Sequence, residues 1–149
     1  MAELTPMPPS RRQAYTAVNA SSAPFWLAMI IAPRSRLTAR LMQAVTPLQV
    51  ALGAAYDGFL ASGVAESGKM VDFGNPDAVR AALTKPHFFL AGWTHYIAFD
   101  LFVGRWIWED ATSRGRAPRL ALFLTWMAGP AGLSLYLVQR RLFGDAGPQ

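Results

Sequence analysis

Cysteine is absent from the 149-residue chain, which excludes disulfides, thiolate nucleophiles and sulfur-ligated metal sites. Histidine is nearly absent: His87 and His95 are the two in the sequence, whereas a metal site needs three or four convergent ligands. Such a site would have to draw Asp57, Asp100 or Glu109 from other helix faces, so no metal is expected. Ser-His-Asp order, a phosphate loop, a dinucleotide fingerprint and a paired-acid motif are all missing, and no cofactor is expected either. Charge is scarce, at 15% of residues against roughly a quarter in an ordinary soluble domain. The 14 Lys and Arg outnumber the 9 Asp and Glu, but no basic run is interleaved with aromatics, so nucleic acid is not an expected partner. The basic residues instead flank apolar stretches, the arrangement expected of helix ends that face anionic lipid headgroups.

What the chain has in quantity is apolar side chains, 52% of the total. Crossing about 30 Å of hydrocarbon takes roughly 20 mostly apolar residues at 1.5 Å each. Four segments approach that length: 15–32, 41–61, 86–108 and 118–138. Alternating strands of a membrane barrel are not evident. The expected fold is therefore all-α: an integral membrane bundle of four transmembrane helices over 15–141, with disordered ends at 1–14 and 142–149. Pro24, Pro47 and the Gly129-Pro130 pair predict bends within three of the spans. Between the second and third spans, Asn75 as N-cap, Pro76 at the first helical position and Asp77 in the first turn predict a short interfacial helix. The first segment ends in IAPRSR rather than in small residues suited to cleavage, so it reads as a retained span. Basic residues divide evenly between the two sides and leave the orientation unset.

The third segment, GWTHYIAFDLFVGRWIWEDA, carries groups that lipid rejects. A buried ionised side chain costs about 2.5 to 3.5 kcal/mol on insertion scales, so each is a candidate site. Glu109, Asp110 and Arg105 fall where the helix would leave the membrane; His95 and Asp100 do not. At about 100° per residue, Trp93, Tyr96, Asp100, Gly104 and Ile107 share one stripe, while His95, Phe99, Phe102, Trp106 and Glu109 share another. His95 and Asp100 therefore need partners from other helices, and Tyr56, Thr125 or Tyr136 would suit Asp100. Each also has a bland reading, a single hydrogen bond between helices. Trp93, Tyr96, Phe99 and Trp126 are candidate ligand contacts for a long apolar molecule, with core packing the commoner use of such residues.

Two blocks carry a resemblance beyond composition. One is MIIAPRSRLTARLMQAVTPLQVALGAAYDGFL. The other is WTHYIAFDLFVGRWIWEDA followed by RLALFLTWMAGPAGLSLYLV, with Trp-x-His, Asp-Leu-Phe, an arginine and a late Gly-Pro-x-Gly. The chain resembles the membrane-protein family named after an abscisic-acid-deficient plant mutant, whose plastid members are required to make neoxanthin from violaxanthin. The resemblance implies a multi-pass membrane protein linked to carotenoid or xanthophyll metabolism. It points to Trp93, His95, Asp100, Arg105 and Asp110. The absence of a Ser-rich plastid leader suggests a bacterial, inner-membrane member, and Asp57 departs from the family pattern.

Three functional readings follow. The first is a cofactor-independent isomerase, or its subunit, that opens an epoxide to an allene on a carotenoid or other isoprenoid. There Asp100, held neutral, would be the acid, His95 the base and Arg105 a further catalytic candidate. The alternative is a non-catalytic carotenoid-binding or membrane scaffold protein, with membrane lipid, a second copy or a partner membrane enzyme around it. A small proton-coupled carrier, suggested by Asp57, Asp100 and the broken spans, is the third, weakened by the lack of internal symmetry.

Overall fold

The computed structural model describes residues 6–143, and within them every regular element is helical. The seven helices are α1 (Pro9–Ile31), α2 (Arg36–Gln43), α3 (Thr46–Ser67), α4 (Pro76–Leu83), α5 (Pro86–Ser113), α6 (Arg119–Ala128) and α7 (Pro130–Phe143). All-α is thus what forms, but the four-span membrane bundle is not. No helix among the described residues is both long and apolar enough to cross a membrane.

Proline explains half of that correction. Its ring lacks the N–H and clashes with the carbonyl four residues back, so a helix stops before it and restarts with it in the first turn. Pro47 does this between α2 and α3, parting the first residues of the expected second span from α3, which at 22 residues is long enough to cross but not apolar enough. Pro130 does it between α6 and α7, leaving pieces of 10 and 14 residues where about 20 would be needed. The other half is polarity: Asn19, Ser21 and Ser22 dilute α1, Asp57 sits exposed on α3, and α5 carries the charged groups noted above. Pro24 is the exception, since α1 continues through it.

Local signals for α4 are realised. The Asn75 side-chain oxygen accepts from the backbone N–H groups of Asp77 (3.0 Å) and Ala78 (3.3 Å), and Asp77 pairs with Arg80 at 3.1 Å. Its role as an interfacial helix between spans falls with the bundle. Of the segments expected to be disordered, residues 1–5 and 144–149 lie outside the described residues, while α1 begins at Pro9.

The described helices group into two units, each assembled from separate parts of the chain. The first takes residues up to Ser21 together with Leu48–Ala98, that is, the start of α1, then α3, α4 and the first part of α5. Val18, Leu52 and Ile97 are its buried apolar centre, with Leu48, Phe59, Trp93 and Ala98 packed against them. Each such side chain removed from water contributes about 1.5–3 kcal/mol. The second unit takes Ser22–Pro47 and the chain from Phe99 onward. There the turn after α1 is tied to α2 by Thr38, whose buried hydroxyl donates to the Ala32 carbonyl at 2.7 Å, while Ser35 caps α2 by accepting from the Thr38 N–H at 3.0 Å. Two long side chains close the end of α1: the Trp108 indole donates to the Pro33 carbonyl at 2.7 Å and Arg119 donates to the Ile30 carbonyl at 3.1 Å. The turn after α5 is a Schellman motif, with Gly115 at φ +69°, its N–H on the Thr112 carbonyl and the Arg116 N–H on the Ala111 carbonyl.

Candidate functional site

The residues expected to act together are divided by this organisation. Trp93, His95 and Tyr96 belong to the first unit, and Phe99, Asp100, Arg105, Asp110 and Trp126 to the second. Each unit therefore has its own site.

In the first unit, α3, α4 and α5 enclose a cleft of about 220 Å³. Its walls include Leu60, Phe73, Leu83 and Phe88, and Gly92 opens one side by having no side chain. Tyr56 and His95 bring the phenol and imidazole to this apolar lining, with their rings 5.7 Å apart at 50°. His95 is exposed on α5, so an incoming molecule can reach it. Beside the cleft runs a chain of aromatic rings: Tyr15 faces Phe89 and Trp93, Phe89 stacks on Trp93 at 6.0 Å, and Trp93 stacks on Tyr96 at 5.9 Å. The Trp93 indole donates to Asn19 at 3.3 Å. Trp93 thus spends its ring on the core and its N–H on α1. The other histidine, His87, is 4% exposed, and its Nε2 accepts from Arg11 at 2.5 Å, with Glu66 at 3.4 Å. A guanidinium can only donate, so it occupies the lone pair a metal would take. Among the described residues no group of three or more His, Cys, Asp or Glu could hold a metal ion.

The second unit is organised on Asp110. Its carboxylate, 17% exposed, accepts from the Tyr136 hydroxyl at 2.5 Å and from Arg114, one turn on, at 3.1 and 3.4 Å, while Arg140 lies at 3.2 Å. Burial pushes the Asp110 carboxyl up, but the hydrogen bonds from Tyr136 and Arg114 and the charges of Arg140 and Arg114 outweigh it and hold it below its ordinary value. Burial, then the hydrogen bond to Asp110 and its charge, raise the Tyr136 phenol well above the usual range. Trp106 meets Tyr136 edge-on at 5.7 Å and lies 5.9 Å below the Arg140 guanidinium. Arg105 is engaged elsewhere, donating to Glu109 at 2.7 Å across one turn of α5. Asp100 is half-buried on α5. Tyr136 donates to Asp110, the Thr125 hydroxyl donates to the Ala121 carbonyl at 2.8 Å, and Tyr56 faces His95. Trp126 stacks on Trp26 at 6.2 Å, and Phe99 is 60% exposed.

The family model for ABA DEFICIENT 4-like proteins matches residues 13–136. The chain belongs to the ABA DEFICIENT 4-like family. No curated protein and no solved structure matches it. The span that matches the ABA DEFICIENT 4-like family contains His95, Trp93 and Asp110, and it ends on Tyr136, the phenol that holds the Asp110 carboxylate. Arg140 lies beyond it. In this ABA DEFICIENT 4-like chain, Arg114 is the one Asp110 partner that sequence spacing could have revealed, being four residues on. Tyr136 and Arg140 are 26 and 30 residues away and left no such signal.

Proposed function

We propose that the protein binds the ring end of a carotenoid or related isoprenoid in the cleft of its first unit. The observation that carries this is a lining apolar throughout except for the Tyr56 and His95 rings. Apolar walls supply affinity at about 25 cal/mol per Å² removed from water. The two polar rings give a ring hydroxyl or epoxide oxygen something to orient on. At about 220 Å³ the cleft is smaller than the roughly 300–1,000 Å³ of sites that enclose whole ligands, so the polyene continues outside it. Membership of the ABA DEFICIENT 4-like family supports the carotenoid class, and such a ligand brings the protein to lipid surfaces.

A second reading, favoured by the 5.7 Å approach of Tyr56 and His95, is epoxide isomerisation. One ring would donate a proton to the oxygen as its C–O bond breaks, and the other would take a proton from the neighbouring carbon. The product is an allenic alcohol with no net oxidation. This reading uses His95 but not Arg105, whose guanidinium is engaged by Glu109.

The test is to purify the full chain from a carotenoid-producing host and extract it for pigment. Wild type is expected to be coloured. Gly92→Leu, which fills the cleft while improving helix propensity by about 1 kcal/mol, is expected to be colourless with no loss of melting temperature. Colourless wild type, or a Gly92→Leu variant that keeps its pigment, overturns the reading. Bound but unconverted epoxide in His95→Ala would separate the isomerase from a pure binder.

A further inference from the structure

The cleft that holds Tyr56 and His95 adjoins a second one of about 230 Å³, also within the first unit. Three residues are walls of both: Val71, Ala82 and Phe88. Val71 and Ala82 are small, so the bulk of the partition is the Phe88 ring. Two local features put it there. The turn from α4 into α5 brings Ala82 beside the start of α5, with the Lys85 N–H on the Ala82 carbonyl and the Phe89 N–H on the Lys85 carbonyl, each at 2.9 Å. On α3, Gly63 leaves the ring its seat, since a Cβ there would lie 2.9 to 3.0 Å from three of the ring carbons. Protein interiors hold few voids larger than a water molecule, so a phenylalanine that only fills a core is packed on every side. Phe88 is 6% exposed, yet it borders open space on two sides.

We propose that Phe88 is the length stop of the isoprenoid cleft, selecting ligands by how far they extend past Tyr56 and His95. The inference rests on the reading of that cleft as an isoprenoid site. On α5, Phe88 lies seven residues before His95, two turns away on the same face and about 10 Å along the axis, with Gly92 between them. His95 and Gly92 are exposed whereas Phe88 is buried, so the mouth is at one end and the ring closes the other. A ligand oxygen held at Tyr56 and His95 leaves the attached hydrocarbon that length before it meets the ring. Beyond, Met70, Val71, Ala78 and Ala81 offer further apolar wall that the ring shuts off. Without the ring, two spaces of nearly equal volume become one.

The test titrates the full chain with geraniol, farnesol and geranylgeraniol, alcohols that lengthen by one isoprene unit at each step, followed by calorimetry and tryptophan fluorescence. Wild type is expected to bind geraniol and farnesol equally, because the added unit finds no wall to cover. Phe88→Ala is expected to favour farnesol over geraniol about tenfold, the effect of about two buried methylenes. Adding Gly92→Leu, which fills the first cleft, is expected to abolish that preference, since the chain reaches the second space through the first. If Phe88→Ala fails to fold, Phe88→Leu keeps apolar bulk without the ring and should show the same preference at about fourfold, one methylene's worth. A wild type that already favours farnesol as strongly as the variants overturns the length stop and leaves the isoprenoid cleft standing. A chain that binds none of the alcohols overturns both.

Discussion

Replacing Gly132 by alanine probes the joint between α6 and α7. A Cβ built there would lie 2.2 Å from the Thr125 backbone nitrogen and 2.4 Å from the Ala121 carbonyl oxygen, where ordinary contact begins near 3.4 Å. The Thr125 hydroxyl oxygen, also at 2.2 Å, could rotate away, but the other two atoms are backbone and no rotamer change relieves them, so α7 must back away from α6 by about 1 Å. Overpacking of this kind costs about 1–3 kcal/mol, and the upper end applies because the blocking atoms cannot move aside. Alanine returns about 1 kcal/mol through helix propensity, leaving a net loss of about 2 kcal/mol. Gly53→Ala is the matched control. It sits in α3 with no heavy atom within 4 Å of a Cβ, so it should gain that 1 kcal/mol undiminished. Followed by far-ultraviolet circular dichroism, the two variants should melt on opposite sides of wild type. At about 2–4 °C per kcal/mol they should differ by roughly 6–12 °C. A Gly132→Ala protein that melts at or above wild type would refute the close approach of the two helices.

The remaining predictions concern Asp110 and its partners. Because its folded carboxyl lies below the ordinary value of 3.8, the stability it contributes is fully present above that pH and is lost as pH falls through the folded value. Denaturant titrations of Asp110→Asn should show that acid-side loss flattened. Tyr136→Phe removes a hydrogen bond to a charged group and should cost about 1.5–3 kcal/mol by the same assay. The raised phenol contributes stability that is complete below about pH 10 and disappears as pH rises through its folded value, so the phenylalanine variant should lose this alkaline dependence. Trp93→Phe keeps the ring stack but not the hydrogen bond to Asn19, and should lower stability by about 1 kcal/mol.

How far the chain can be read without coordinates depends on the range of the forces involved. The caps and starts of helices are local, and Asn75, Pro76 and Asp77 announce α4 without any tertiary information. Proline positions are equally readable, but their consequence is easily mistaken: Pro47 and Pro130 look like kinks within spans, whereas each separates two helices. An abundance of apolar residues was the misleading cue, because helices that are half apolar all round resemble diluted spans in composition. The site residues divide in the same way. His95 stands out as an isolated polar group on an apolar helix, and the cleft beside Tyr56 gives it a place. At the centre of the second unit the family resemblance points to Asp110 but not to its partners, since that residue looks like a carboxylate at a helix exit until Tyr136 and Arg140 arrive from α7. Their approach depends on the turn at Gly129-Pro130, which no spacing rule encodes.

The interleaved make-up of the two units has a consequence for how this protein can be made and altered. The chain passes from one unit to the other after Ser21, after Pro47 and after Ala98. During synthesis, residues 22–47 leave the ribosome long before the partners from Phe99 onward exist, so the two parts of the second unit cannot meet until the first unit has been wholly translated. Neither unit is available as an uninterrupted stretch of gene. A fragment ending at Ala98 strands residues 22–47, and one beginning at Ser22 deprives the first unit of Val18 and Asn19. Cut-and-paste exchange of one unit between relatives would therefore need three simultaneous junctions.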